Sequence, residues 1–155
     1  MSTSSKKPNP MSRNREISLE ELPGHLFRRL HQLAVADFSA RMGDLGLTPV
    51  QWSALVSIKQ RQGLDQITLS REIFIDTSTL AGVLDRLESR GMVRREASPD
   101  DKRVRLLYIT EEGAALLQHA NIVVFETQEW LMEPLTPSAR VTFMKSMLRV
   151  LNRND

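Results

Sequence analysis

The stretch DTSTLAGVLDRLESRG, residues 76–91, decides the fold. Leu80, Val83, Leu84 and Leu87 recur at three- and four-residue steps, which is one face of a helix with 3.6 residues per turn. Asp76 is a good N-cap for that helix, and Gly91 a good terminator. The opposite face presents Thr77, Ser78, Ala81, Gly82, Asp85 and Arg86. Its small residues gather toward the N-terminal end, where they let a second surface approach the helix closely.

Working outward toward the C-terminus, residues 92–97 and 105–109 have the length and flanking turn residues of two antiparallel strands. They enclose the charged tip SPDDKR. The segment ITEEG then restarts a helix, with Thr110 as N-cap and two glutamates in the first turn, where they suit the helix dipole. That helix is expected to run through Leu116, Leu117, Ile122 and Val123 to about Met132. A last one opens at Thr136–Pro137 and carries Val141, Met144, Leu148 and Leu151.

Toward the N-terminus, TLSREIFI reads as a short helix opened by Thr68. Before it, GLTPVQWSALVSIKQRQG gives Thr48 as N-cap and Pro49 at the first helical position. Val50, Ala54, Leu55 and Ile58 form its inner face, and Gly63 ends it. From Leu19 to about Gly43 one stripe of Leu22, Leu26, Leu30 and Leu33 runs beside another of Phe27, His31, Ala34 and Phe38. So wide an apolar arc predicts a core helix that also meets a second copy of the chain. Arg29 falls inside the leucine face, where an unpaired buried charge is costly.

The order is α-α-α-α-β-β-α-α without an internal repeat, a mainly α chain with a small β-hairpin (α+β). Two short helices joined tightly and followed by a hairpin form the winged helix-turn-helix layout. In that layout the second helix lies in the major groove of DNA and the hairpin is the wing. The same helix alone also reads as an ordinary surface helix with small polar residues.

Composition bounds the alternatives. The 155 residues suit one domain with an oligomerisation extension, and 41% hydrophobic with 26% charged is ordinary for a globular protein. Without cysteine there is no disulfide, thiolate chemistry or Cys-based zinc site. The opening MSTSSKKPNPMSRNR lacks the apolar core of a secretory signal and reads as a disordered basic arm, so the expected address is cytoplasmic. A net charge of +2 is only mildly basic, so a nucleic-acid role rests on where the charges sit. His25 and His31 lie about 120° apart around a helix and His119 is isolated, so no metal site is expected. There is no Ser/His/Asp or Cys/His arrangement, phosphate loop or clustered carboxylate pair, so neither an enzyme nor a cofactor is expected.

The blocks GLTPVQWSAL, DTSTLAGVLDRLESRGMVRR and DDKRVRLLYITEEG resemble the signature of the MarR family of multiple antibiotic resistance regulators. In that family the wing reads Asp-x-Arg, followed by a strand and a Leu/Ile-Thr-x-x-Gly helix start. Here Asp101, Lys102 and Arg103 precede Ile109, Thr110 and Gly113 at matching spacing. The resemblance covers residues 22–151.

It implies a homodimeric repressor on a pseudo-palindromic operator, with the first helix and the last two interleaving with those of the partner. The organisation that follows is a basic arm (1–18), a dimerisation helix (19–47), a winged helix-turn-helix lobe (48–110) and C-terminal dimerisation helices (111–155). The resemblance also implies that Arg103 enters the minor groove while Asp101 holds the wing. The DNA-binding set is then Arg71, Thr77, Ser78, Thr79, Gly82, Arg86, Lys102 and Arg103. Lys102, Arg71, Arg94, Arg95 and Arg105 read either as phosphate contacts or as solvated charges.

A small aromatic carboxylate is the implied effector. His25 and Arg29, one helical turn apart, and Trp52 offer a cation and an aromatic wall for it. Alternatively Arg29 pairs with Asp37 of a second copy, and Trp52 is plain core. The opening PGHLFRRLHQLAV is similar to regulators of aromatic-acid catabolism, nicotinate-degradation repressors among them, which makes a hydroxylated nicotinate the implied inducer. A ligand-independent regulator or activator is the alternative.

Overall fold

The computed structural model describes residues 17–152. The expected basic arm lies outside the described residues except for Ile17 and Ser18. In chain order the elements are α1 (Pro23–Met42), α2 (Pro49–Gln60), β1 (Leu64–Asp65), α3 (Gln66–Glu72), α4 (Thr77–Ser89), β2 (Val93–Ala97), β3 (Arg105–Ile109), α5 (Glu111–Met132) and α6 (Pro137–Leu151). Single turns of 3-10 helix occupy Leu19–Glu21 and Gly43–Leu45. Backbone contacts divide the chain into two compact units, Met1–Gln32 and Leu33–Asp155.

The stripe Leu80, Val83, Leu84 and Leu87 is buried and joins Ala54, Leu55, Ile58, Leu69, Leu107 and Leu117 in one core. Truncating one of these leucines to alanine costs about 2–5 kcal/mol, because the cavity left behind collapses only partly. On α2, Ala54, Leu55 and Ile58 are buried as expected, whereas Val50 is half-buried at the helix start. Thr48 and Gln51 form a reciprocal capping box over Pro49, each satisfying one free amide of the other.

Three expectations need correction. The sheet has three strands in the order β1-β3-β2, because Leu64 and Asp65 pair with Leu107 and Leu106 outside the hairpin. The cap of α3 is Asp65: its carboxylate accepts the amides of Ile67 and Thr68 at 2.8 and 2.9 Å and the Thr68 hydroxyl at 2.6 Å. Thr68 therefore sits inside the first turn. On α1 only Phe38 and Met42 are buried. Leu26 and Leu33 remain 40% and 49% exposed, and Arg29 beside them is exposed, so no desolvation cost falls on its charge within one chain.

The hairpin register pairs Val93 with Ile109 and Ala97 with Arg105. Its base is locked to α5 by Thr110, whose hydroxyl donates to the Gly91 carbonyl at 2.6 Å and accepts from the Gly113 amide at 3.0 Å. Gly113 passes so close to the hairpin that a Cβ there would collide with the Met92 carbonyl. The Thr-x-x-Gly spacing is thus a capping bond and a close approach acting together.

Candidate nucleic-acid interface

The N-terminus of α4 is built around Asp76. Its Oδ1 accepts the Thr79 amide at 2.8 Å and the Ser78 hydroxyl at 2.5 Å. The Ser78 hydroxyl, then the Thr79 side chain and amide, hold this carboxyl far below the usual carboxylate range. Ser78, whose proton is donated inward, is left with acceptor capacity toward solvent. Thr77, Ser78 and Thr79 are all exposed, as is Arg86 two turns further on. Gln66 of α3 donates to the Thr77 carbonyl at 3.1 Å, tying the two helices together at that end.

Gly82 faces the same way. A Cβ at this position would meet only Arg86 Nη2, at 3.9 Å, which is ordinary contact. No neighbour among the described residues requires a glycine here, and the space above it is open to an approaching surface.

At the wing tip the Asp101 carboxylate accepts from Arg103 three times, from its backbone amide at 3.0 Å, Nε at 3.2 Å and Nη2 at 3.3 Å. The amide bond, then the guanidinium, lowers the Asp101 carboxyl below its ordinary value. Arg103 is nevertheless 92% exposed along its side chain. The aspartate therefore steadies the arginine as well as the turn. Ser98 and Val104 close the tip by a backbone bond of 2.9 Å. Lys102 and, on the last turn of α3, Arg71 are exposed.

The remaining wing arginines differ from one another. Arg95 is turned inward, with Nε 3.0 Å from Glu88 and Nη2 bonded to Asp85, both on α4. It is a strut between wing and helix. Arg94 pairs with Glu96 and stacks over the Tyr108 ring at 4.5 Å. Arg105 is exposed. Arg90, which carried no sequence signal, ties the end of α4 to the turn before α2 by donating to the Gly46 and Leu45 carbonyls at 2.7 and 2.9 Å.

The expected effector residues lie on two different helices, α1 and α2. On α1, Arg29 is exposed and His25 is half-buried, its Nδ1 3.3 Å from Arg28 Nη2. Asp37 is occupied by Arg41 of its own chain at 2.7 Å. Trp52 on α2 donates from Nε1 to Asn121 at 2.9 Å and is half-buried. Together with Val56, Ser57, Arg61, Glu72 and Ile73 it lines a cavity of about 560 Å³. Sequence reasoning missed Ser57, Arg61 and Glu72, since none carries a local signal and only the packing of α3 on α2 brings them together.

A family model described as the MarR family matches residues 47–104. Transcriptional regulator HosA of Escherichia coli O111:H- is 31% identical over 88% of this chain and 99% of its own length. The chain belongs to the MarR family. The HTH-type transcriptional repressor NicR of Pseudomonas putida is another relative, 28% identical over 97% of this chain and 98% of its own. Among solved MarR-type structures, a probable transcriptional regulator from Pseudomonas aeruginosa superposes with a TM-score of 0.82 at 32% identity, covering 86% of this chain and 99% of that one. The repressor CouR bound to a 23-mer DNA duplex has a TM-score of 0.81 at 28% identity, covering 88% and 99%. BpsR of Bordetella bronchiseptica, whose DNA binding is regulated by 6-hydroxynicotinic acid, has a TM-score of 0.76 at 28% identity, covering 83% and 97%. These are winged-helix neighbours, and this MarR-family chain shares their mainly helical fold with a small antiparallel sheet. No helix among the described residues is long and apolar enough to cross a membrane.

Proposed function

We propose that the chain is a transcriptional repressor that binds a pseudo-palindromic operator as a homodimer, in the cytoplasm, and is released by a small aromatic acid. The observation that carries the reading is the exposed α4 face, open at Gly82 and hydroxylated at Thr77, Ser78 and Thr79, together with Arg103 projecting from the wing. Arg86 is assigned to base edges, Arg103 to the minor groove, and Arg71 and Lys102 to phosphates. The duplex held by CouR supports the same use of this fold.

The homodimer is supported by what one chain leaves uncovered. No residue of α6 is buried, and Val141, Met144, Leu148 and Leu151 form an exposed stripe at helical spacing. Ile122, Phe125 and Trp130 are exposed on α5. An operator with half-sites about 10–10.5 base pairs apart, or a multiple, follows from two symmetry-related α4 helices.

The effector reading is supported by the Trp52 cavity and by BpsR, which answers to 6-hydroxynicotinic acid. Arg29 and His25 on α1 are further candidate ligand groups. Titrating a labelled operator duplex by fluorescence anisotropy, with and without 6-hydroxynicotinate, tests the whole. Affinity should fall steeply with salt, because each phosphate neutralised releases counterions, and should fall again with the acid. Binding that ignores every aromatic acid tried would favour the ligand-independent alternative.

A further inference from the structure

We propose that the Trp52 cavity takes its ligand by carboxylate exchange: the incoming carboxylate replaces that of Glu72 on Arg61 and Ser57, and so frees the C-terminal end of α3. This rests on the effector reading and deepens it. Arg61 Nη1 lies 2.7 Å from Glu72 Oε1, and the Ser57 hydroxyl donates to Glu72 Oε2. All three side chains line the cavity that Trp52 walls. The site therefore already holds a carboxylate on a guanidinium and a hydroxyl, beside an indole, and that carboxylate belongs to the protein. A planar aromatic acid presents the same donors with an equivalent anion and covers the indole as well. The Arg61 side chain is half-exposed, so the pair is open to competition.

What the exchange releases is the turn into α4. Glu72 is the last residue of α3, and Ile73, its C-cap, also lines the cavity. The helix end is closed by the Ile73 amide on the Leu69 carbonyl at 3.1 Å and the Ile75 amide on the Ser70 carbonyl at 3.0 Å. Between them Phe74 has a φ of +55°, a left-handed conformation that favours glycine. Its side chain is 93% exposed, so no packing offsets the strain. Asp76, the N-cap of α4, follows two residues later. The Glu72 anchor is thus a contact holding a strained turn directly ahead of the candidate reading helix.

Calorimetric titration of the full chain with 6-hydroxynicotinate, 4-hydroxybenzoate and salicylate tests the exchange. Glu72→Gln removes the competing charge and should bind at least one acid several-fold more tightly than wild type. Arg61→Gln should bind it about tenfold more weakly or worse. Arg61→Lys, which keeps the charge and loses the planar fork, should fall between them and guards against a folding defect in the glutamine variant. The neutral amide of the same acid should not bind. If wild type binds an acid and both Glu72→Gln and Arg61→Gln bind it equally well, the exchange is overturned while the effector reading stands. If neither wild type nor Glu72→Gln binds any of the three, both fall.

Discussion

Asp101 grips Arg103 by three hydrogen bonds of 3.0, 3.2 and 3.3 Å while leaving the guanidinium almost wholly in solvent. A surface pair of this kind adds little to stability. What it supplies is a restricted set of directions for a cation at the tip of a wing. Arg103→Ala should therefore leave the melting temperature within a degree or two, roughly, and weaken operator binding about tenfold or more. Asp101→Ala should lose less, since the cation survives without its brace. Anisotropy titrations at one moderate salt concentration check the order.

Gly82 separates a structural from a functional requirement. With open space above its Cα, Gly82→Ala should stabilise α4 by about 0.5–1 kcal/mol through helix propensity alone. On the proposed interface the added methyl stands between helix and groove floor, and operator affinity should drop. Denaturant melts paired with DNA titrations should move in opposite directions; a variant gaining in both would remove Gly82 from the interface.

Asp76 gives the pH dependence. Its folded-state carboxyl is held below the unfolded value of about 3.9 by Ser78 and Thr79. The stabilisation is fully present above about pH 5 and is lost as pH falls through the unfolded value toward the folded one. Asp76→Ala should melt below wild type at neutral pH, and the gap should narrow steadily on acidification to about pH 2. A gap that is constant across the range would mean the charge of the cap contributes nothing.

Gly113 tests the junction between hairpin and α5. Gly113→Ala drives a methyl into the Met92 carbonyl and should cost about 3 kcal/mol. Glu112→Ala, one residue away and exposed, should stay within about 0.5 kcal/mol. Urea unfolding of both variants decides whether the glycine is there for space.

Much of the fold was legible because each main element carries its own evidence. The α4 stripe has helical period, a capping aspartate and a terminating glycine within sixteen residues. The wing was legible from its turn residues, and Thr110 from its position before a helix. The β1 strand was not, because two residues cannot alternate and their pairing partners, Leu107 and Leu106, lie more than forty residues away. Thr68 and Asp65 are both capping residues three apart, and nothing local in the sequence decides which one lies outside the α3 helix.

The site divides in the same way. As candidates, Thr77, Ser78, Gly82 and Arg86 could be picked out from the helix face, and Asp101 and Arg103 from their match to the family's wing motif. Arg95 could not be sorted from the other wing arginines, since its partners Asp85 and Glu88 sit on a different element. The Ser57–Glu72–Arg61 cluster joins residues eleven and fifteen apart through tertiary packing, which periodicity does not encode. On α1 the apolar arc was legible, but only Phe38 and Met42 of that helix are buried within one chain, and a sequence does not distinguish burial in one chain from burial against a second copy.

The central claim is that α4 and the wing read duplex DNA sequence, and selection of bound duplexes from a random pool tests it most directly. Wild type should enrich a pseudo-palindrome with half-sites about one helical turn apart, and Arg86→Ala should enrich the same spacing with relaxed preference at one position in each half-site. Recovery of unrelated sequences by wild type, at salt low enough to retain DNA, would contradict it.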